Sequence, residues 1–281
     1  MGYNVSDYNI KKNNILDILS ELKELDFVFI GLHGTFGEDG TIQEMLDFSE
    51  INYNGSGYLS SQLCFDKHQT KLCASQNDVL TPAYFHIYEN NNSTAYEDVL
   101  LRHTLSSNMD LKKWVIKPNK QGSSIGFSML KDISNTKTAI RNVLKYDDSA
   151  LIEKYIEGRE ITVPVLDYTA LPVIEIKPHS NIYDYKSKYT KGESDYICPA
   201  EIDDSLSEEI KDTALKIHKL LGCQVYSRVD FRLDKDNKLW FLEINTLPGM
   251  TETSLFPMAA KASGLSFEDL IDKIIKLSLE K

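Results

Sequence analysis

The chain has 281 residues, enough for about two compact units at roughly 150 residues each. Hydrophobic residues at 42% and charged residues at 26%, with only 14 Gly and 8 Pro, exclude collagen-like, low-complexity and largely disordered classes. A formal charge of −11 opposes nucleic acid and anionic membrane surfaces as partners, so any polyanion must be met by a local basic pocket.

The opening MGYNVSDYNIKKNNILDILSEL is broken by polar residues and lacks the apolar core of a signal peptide. No run approaches the roughly eighteen apolar residues of a membrane span, and a cytoplasmic protein is expected. Ile15, Ile18, Leu19, Leu22 and Leu25 recur at helical spacing behind the capping pair Asn13-Asn14. The apolar run Phe27 to Leu32 then reads as a buried strand, so that helix followed by parallel strand is the implied unit. HGTFGEDGTIQEML carries a glycine-bearing loop into another helix, and loops at such strand ends wall ligand sites in open α/β sheets.

From about Cys64 the pattern becomes mixed. FDKHQTKLCASQ predicts a helix, Tyr88 to Asp98 a polar loop, and WVIKP a short strand stopped by Pro118. KQGSSIG reads as a loop and FSML as the next strand. ALIEKYI, ITVPVL and LPVIEI are strand segments, and SRVDFRL with KLWFLEI forms a hairpin turning at DKDNK. Ser205 and Glu208 have capping-box spacing, and Leu206, Ile210, Ala214, Ile217 and Leu221 form one helical stripe ended by Gly222. The last helix opens at Ser266. Cys64, Cys73, Cys198 and Cys223 include no C-x-x-C pair, which points to packing thiols rather than a zinc site or a disulfide framework.

Chemistry concentrates in four places. On the final hairpin, strand alternation puts Arg228 and Asp230 on one face and Glu243 and Asn245 on one face. In matching register the four converge. Two carboxylates and an amide, without Cys or His, suit a hard ion such as Mg²⁺ whose shell phosphate oxygens complete; a solvated face of cross-strand ion pairs is the alternative. KPNKQGSSIG exposes backbone N–H groups and hydroxyls that can wrap phosphates, with Lys117 as the cation. Its GSSIG also matches the G-x-S-x-G nucleophile elbow, with Ser124 as nucleophile and His179 or His218, the latter read as a surface residue, as base. That reading conflicts with Pro118 to Gln121 intervening and with strand character returning at Phe127. IYDYKSKYTKG is an aromatic, basic loop suited to closing over an anion through Lys186 or Lys188, and NTLPGMTETSLFP offers Thr251, Thr253 and Ser254 to a carboxylate.

HGTFGEDGTIQ, GSGYLSSQLCFDKHQTK, KPNKQGSSIG, LIEKYIEGREITV, YDYKSKYT, RVDF and LEINTLPGMTETSLFP, in this order, closely resemble the D-alanine–D-alanine ligases of the ATP-grasp superfamily from about Phe27 onward. The resemblance implies an α/β and α+β architecture: an ATP-grasp fold with a truncated Rossmann-like N-terminal domain over residues 1–60, a central lobe over 61–155 and a C-terminal lobe over 156–281. It implies ATP and two Mg²⁺ (or Mn²⁺) ions, D-alanine as substrate, no nucleic acid or membrane partner, and a homodimer covering an exposed sheet edge.

By the same resemblance Asp230, Glu243 and Asn245 hold the metals. Lys67, Lys117 and Lys188 meet the phosphates, Ser123 and Ser124 belong to the loop covering them, and Glu153 and Glu160 meet adenine and ribose. Arg228 and the Gly249 N–H stabilise the oxyanion, Ser254 and Leu255 match the site for the second substrate's carboxylate, and His33 and Glu38 wall the substrate side. Tyr189 directly after Lys188 favours an amine over a hydroxy acid as second substrate. Family members open with a strand and a glycine-rich turn carrying Ser and Glu, for which MGYNVSDYN has no equivalent. Ser123 and Tyr189, the partners of that Glu, are retained. A shortened chain, a ligase with a different first substrate and a non-catalytic ATP-binding module are the readings this leaves.

Overall fold

The computed structural model describes residues 2–11, 14–88, 114–122, 125–130, 135–179 and 192–281. Helix α1 (Ile15–Leu22) buries Ile15 and Leu22. Asn13 lies outside the described residues. Asn14 stands at the N-cap but does not cap, because its amide is spent on the preceding loop: Nδ2 donates to the Asn9 carbonyl at 3.1 Å and Oδ1 accepts from Lys11 N–H at 2.6 Å. The strand expected over Phe27 to Leu32 is reduced to a single parallel bridge between Val28 and Tyr53. At the next rung the Asn54 side chain takes the place of a backbone partner, accepting from Ile30 N–H at 2.5 Å and donating to the Ile30 carbonyl at 3.3 Å, so the ladder ends. Helices α2 (Thr41–Phe48), α3 (Tyr58–Phe65) and α4 (Lys67–Gln76) follow, the last capped by Asp66, whose carboxylate accepts from Gln69 N–H.

Two antiparallel sheets carry the site. The first, in the order β1-β4-β2-β3, contains β1 (Tyr84–Tyr88), β2 (Trp114–Pro118), β3 (Ser128–Met129) and β4 (Ser149–Lys154). Helix α5 (Thr136–Val143) covers it, packing Ile140 and Val143 on Trp114, Ile116 and Ile152. The strand expected at FSML is confined to two residues because Gly126, at φ 72, turns the chain just ahead of it.

The second sheet runs β10-β9-β5-β7-β8, with β6 on β5. It comprises β5 (Arg159–Leu166), β6 (Thr169–Ala170), β7 (Ile174–Pro178), β8 (Ser194–Ile197), β9 (Tyr226–Leu233) and β10 (Leu239–Asn245). The β9–β10 turn is fixed by Asp234, whose Oδ1 accepts from Asp236 and Lys238 N–H groups, both at 2.9 Å. Residues 155–158 alone connect β4 of one sheet to β5 of the other.

Helix α6 (Asp204–Leu220) lays the expected Ile210, Ala214 and Ile217 stripe on the second sheet together with α4. The capping box expected at Ser205 and Glu208 does not form. Asp203, already extended, stands at the N-cap two residues earlier, and Glu208 pairs with Lys211 instead. His218, expected at the surface, is fully buried, donor or acceptor to Ser227 Oγ at 2.8 Å, because Ala214, Ile217 and His218 share the helix face that meets β9. Helices α7 (Leu255–Ala262) and α8 (Phe267–Leu279) close the chain, α8 with a Ser266–Asp269 capping box. They bury Phe256, Ala259, Leu270 and Ile274 in one cluster with Ile15, Leu22, Ile42 and Leu46 of α1 and α2. Among the described residues no helix is long and apolar enough to cross a membrane.

Candidate active site

The hairpin sets Asp230 opposite Glu243 and Arg228 opposite Asn245, and so delivers the expected convergence. It does so through a bulge. Phe241 pairs with Phe231 in the core, Leu242 is the additional residue, and Glu243 then faces Asp230; were the same sequence paired in an unbroken ladder, Leu242 would hold that place. Arg228 binds Asp230 with both arms, Nε to Oδ1 at 2.9 Å and Nη2 to Oδ2 at 2.8 Å, while Thr162 Oγ1 donates to Oδ1 at 2.5 Å. Asn245 Oδ1 accepts from Leu247 N–H at 2.8 Å. From α4, Lys67 Nζ reaches within 3.3 Å of Glu243 Oε2 and donates to the Gln121 carbonyl at 2.7 Å.

Lys67, Gln121 and Glu243 line two adjoining pockets. The first also takes in His33, Glu38, Arg228, Asp230, Asn245, Gly249, Ser254 and Leu255. Glu38 accepts from Gly34 N–H, and its carboxylate, 4.0 Å from His33 Nδ1, holds that imidazole above its ordinary pKa. Ser254, at the N-cap of α7, accepts from Thr251 N–H at 3.0 Å. A Cβ at residue 249 would stand 3.0 Å from Ser254 Oγ, so glycine lets this backbone turn close on the hydroxyl.

The second pocket lies between the sheets and holds Lys117, Glu153, Glu160 and Arg232 with Ile125, Phe127, Ile156 and Leu242 as apolar walls. Glu153 is buried between two ammonium groups, Lys117 Nζ at 2.6 Å and Lys71 Nζ. Burial pushes its carboxyl up, but the Lys117 and Lys71 charges outweigh burial and hold it below the ordinary value. Burial lowers Lys71 to about 8, while Lys117 is held above its usual value because Glu153 and Glu243 outweigh its burial. Two cations around one carboxylate leave positive charge facing this pocket, in a protein that is acidic overall.

Every expected site residue within the described part of the chain therefore lines one of two contiguous pockets. Ser123, Ser124, Lys186, Lys188 and Tyr189 lie outside the described residues; Gly122 and Ile125, which flank the two serines, line the first and second pockets. The hydrolase alternative fails on its bases and its elbow: His218 is buried against Ser227, His179 sits exposed on Asp195, and the chain beyond Gly126 enters β3 rather than a helix. Sequence reasoning missed Lys71, Thr162 and Arg232. Two had a signal, since Lys71 follows Lys67 by one helical turn and Arg232 continues the alternation of Arg228 and Asp230; Thr162 had none, because it meets Asp230 only through the β5–β9 ladder.

No group of three His, Cys, Asp or Glu among the described residues could hold a metal alone. The donors at Asp230, Glu243 and Asn245 are all oxygen and come from one hairpin face, which fits a hard cation whose other positions are filled by phosphate oxygens and water.

A mixed α/β fold with a polar cleft between two antiparallel sheets, cationic at one end and carboxylate-lined at the other, defines a class of enzymes that handle anionic substrates. The D-ala D-ala ligase C-terminus family model matches residues 76–276 and the D-ala D-ala ligase N-terminus model residues 4–56. The chain belongs to the D-alanine–D-alanine ligase family. The likeness also starts well before Phe27, where the motifs alone placed it. The D-alanine–D-alanine ligase of Carboxydothermus hydrogenoformans is 43% identical over 99% of this chain and 89% of its own length. D-alanine–D-alanine ligase B of Clostridium perfringens is 39% identical over 98% of this chain and 88% of its own. The crystal structure of the Bacillus anthracis D-alanine–D-alanine ligase complexed with ATP superposes with a TM-score of 0.78 at 31% identity, over 96% of this chain and 84% of that one.

Proposed function

We infer that the protein is an ATP-dependent ligase that joins two D-alanines into D-alanyl-D-alanine for peptidoglycan synthesis. The observation that carries this reading is the Asp230–Glu243 register pair, with Arg228 and Asn245 beside it, facing Lys67 across the cleft where the two pockets meet. Phosphoryl transfer from ATP to the first D-alanine makes its carboxylate electrophilic. Attack by the second D-alanine's amine then expels phosphate. Such chemistry asks the protein for positioning and charge neutralisation more than for covalent help.

In this reading Lys67 and Lys117 bind the phosphates at the junction of the pockets, Lys188 reaches the terminal phosphate, and Ser123 and Ser124 cover it. Glu153 and Glu160 receive the adenine and ribose donors. Asp230, Glu243 and Asn245 hold two Mg²⁺ or Mn²⁺ ions, which when bound neutralise triphosphate charge. Arg228 and the Gly249 N–H stabilise the oxyanion that develops at the attacked carbon. Ser254 and the backbone at Leu255 orient the second substrate's carboxylate, His33 and Glu38 wall the first pocket, and Tyr189 keeps the acceptor an amine. The segments 1–60, 61–155 and 156–281 act as N-terminal, central and C-terminal units. A cytoplasmic location accompanies the use of ATP, and a homodimer is proposed on the apolar side chains left in water at Leu16, Phe48 and Leu59, to be checked by light scattering.

Release of ADP and phosphate, coupled to D-alanine, tests the assignment. ATP turnover is expected to require D-alanine and to vanish in Asp230→Ala and Glu243→Ala; turnover indifferent to D-alanine, or ATP binding with no amino-acid-dependent turnover, would remove it.

A further inference from the structure

One side chain, Arg232, reaches along the four-residue connection between the sheets. Arg232 on β9 lies opposite Glu160 in the ladder and is 9% exposed. Its Nε donates to the Ile156 carbonyl at 3.0 Å and its Nη2 to the Gly158 carbonyl at 2.9 Å. Nη2 also reaches the Tyr155 hydroxyl at 3.1 Å, and Nη1 reaches Glu160 Oε2 at 3.0 Å. The guanidinium stands 5.2 Å from the Tyr155 ring centroid. From the other side the backbone of this connection rests directly on β9: Gly158 has φ 145, and a Cβ there would come within 2.1 Å of the Leu233 carbonyl. Tyr155, Ile156, Glu160 and Arg232 all line the second pocket.

A rigid planar fork can hold several acceptors in fixed relation, which a lysine ammonium on a flexible stem cannot. A wall ordered in advance costs a ligand less on binding. The carboxylate so oriented is an acceptor at the pocket wall, and the vicinal hydroxyls of a sugar are donors of matching spacing. We propose that Arg232 is a positioning residue for the nucleotide: by fixing residues 155–158 and aiming Glu160, it sets the preference of the pocket for ribose over 2′-deoxyribose nucleotides. The proposal rests on the reading of this pocket as the ATP site.

The experiment compares ATP with 2′-deoxy-ATP in the full-length wild type, Arg232→Met, Arg232→Lys and Glu160→Gln, with binding by calorimetry and D-alanine-dependent turnover. In the wild type the KM for 2′-deoxy-ATP is expected to exceed that for ATP about tenfold, the size of a lost hydrogen bond to a charged group. Arg232→Met is expected to bring the ratio close to one, as Glu160→Gln does, with the larger part of its effect in KM rather than kcat. Arg232→Lys should fall between. A wild-type ratio retained in Arg232→Met, or a wild type indifferent to the 2′-hydroxyl, overturns the proposal. Should Arg232→Met fail to fold, Arg232→Lys decides: an intermediate ratio supports the positioning role and the wild-type ratio overturns it. A wild type that binds neither nucleotide sinks the ATP reading itself, a result separable from the others.

Discussion

Asp230 is the residue on which most of the site chemistry converges, and its orientation is set by neighbours on two strands. Arg228 holds both carboxylate oxygens and Thr162 one of them. On the proposal that Asp230 is a metal ligand, its outer partners would tune it, so Thr162→Val is expected to weaken Mg²⁺ activation about 10- to 100-fold, read as the metal concentration for half-maximal turnover, with little change at saturating metal. His218 makes a different point. The unfolded imidazole takes its proton near pH 6.5, whereas burial, with Lys219 adding to it, holds the folded one neutral until about pH 4. Acid therefore favours the unfolded chain across that window, withdrawing up to about 3 kcal/mol of stability. Urea titrations at pH 7 and pH 4 should show this part of the loss disappearing in His218→Gln, which keeps a partner for Ser227. The grouping of Arg228, Asp230, Glu243 and Asn245 was readable because alternation along a strand is a local rule, whereas Lys67, Glu153 and Glu160 were reached only through the family resemblance. The fate of His218 was not readable, since a histidine's burial depends on which strand its helix meets.

Among the elements, the β9–β10 hairpin shows what pattern reading leaves out. DKDNK announced the turn, and the apolar alternation announced the strands. The bulge at Leu242 left no signal, yet with Leu242 present the pairing of Glu243 with Asp230 depends on it. Deleting Leu242 would close the bulge with Glu243 still opposite Asp230 in an unbroken ladder, so D-alanine-dependent turnover is expected to persist, measured alongside circular dichroism. The strand expected at Phe27 to Leu32 failed for a comparable reason: its apolar run was read as buried, but only Ile30 is buried, and a side-chain amide at Asn54, distant in sequence, took the rung that a strand needs. At the β4–β5 connection, Gly158→Ala meets both a left-handed backbone and the Leu233 carbonyl. A cost of at least about 3 kcal/mol is expected from such strain and clash, visible as a large drop in the thermal midpoint.

Across the whole molecule, the acidic chain keeps Lys67, Lys71 and Lys117 together where the two sheets face each other. Ligand binding there should stabilise the fold by mass action. ATP at a hundred times its Kd with Mg²⁺ is expected to raise the thermal midpoint by about 5 °C or more, and chelation of the metal should remove most of that gain. The core has a further consequence for synthesis. Helices α1 and α2 share their apolar cluster with α7 and α8, and β5 finds its neighbour β9 some sixty residues later. On the ribosome, then, the early helices and a hydrophobic strand edge wait without their native cover until almost the whole chain has emerged, which makes the nascent polypeptide a natural client for chaperones that shield sticky surfaces.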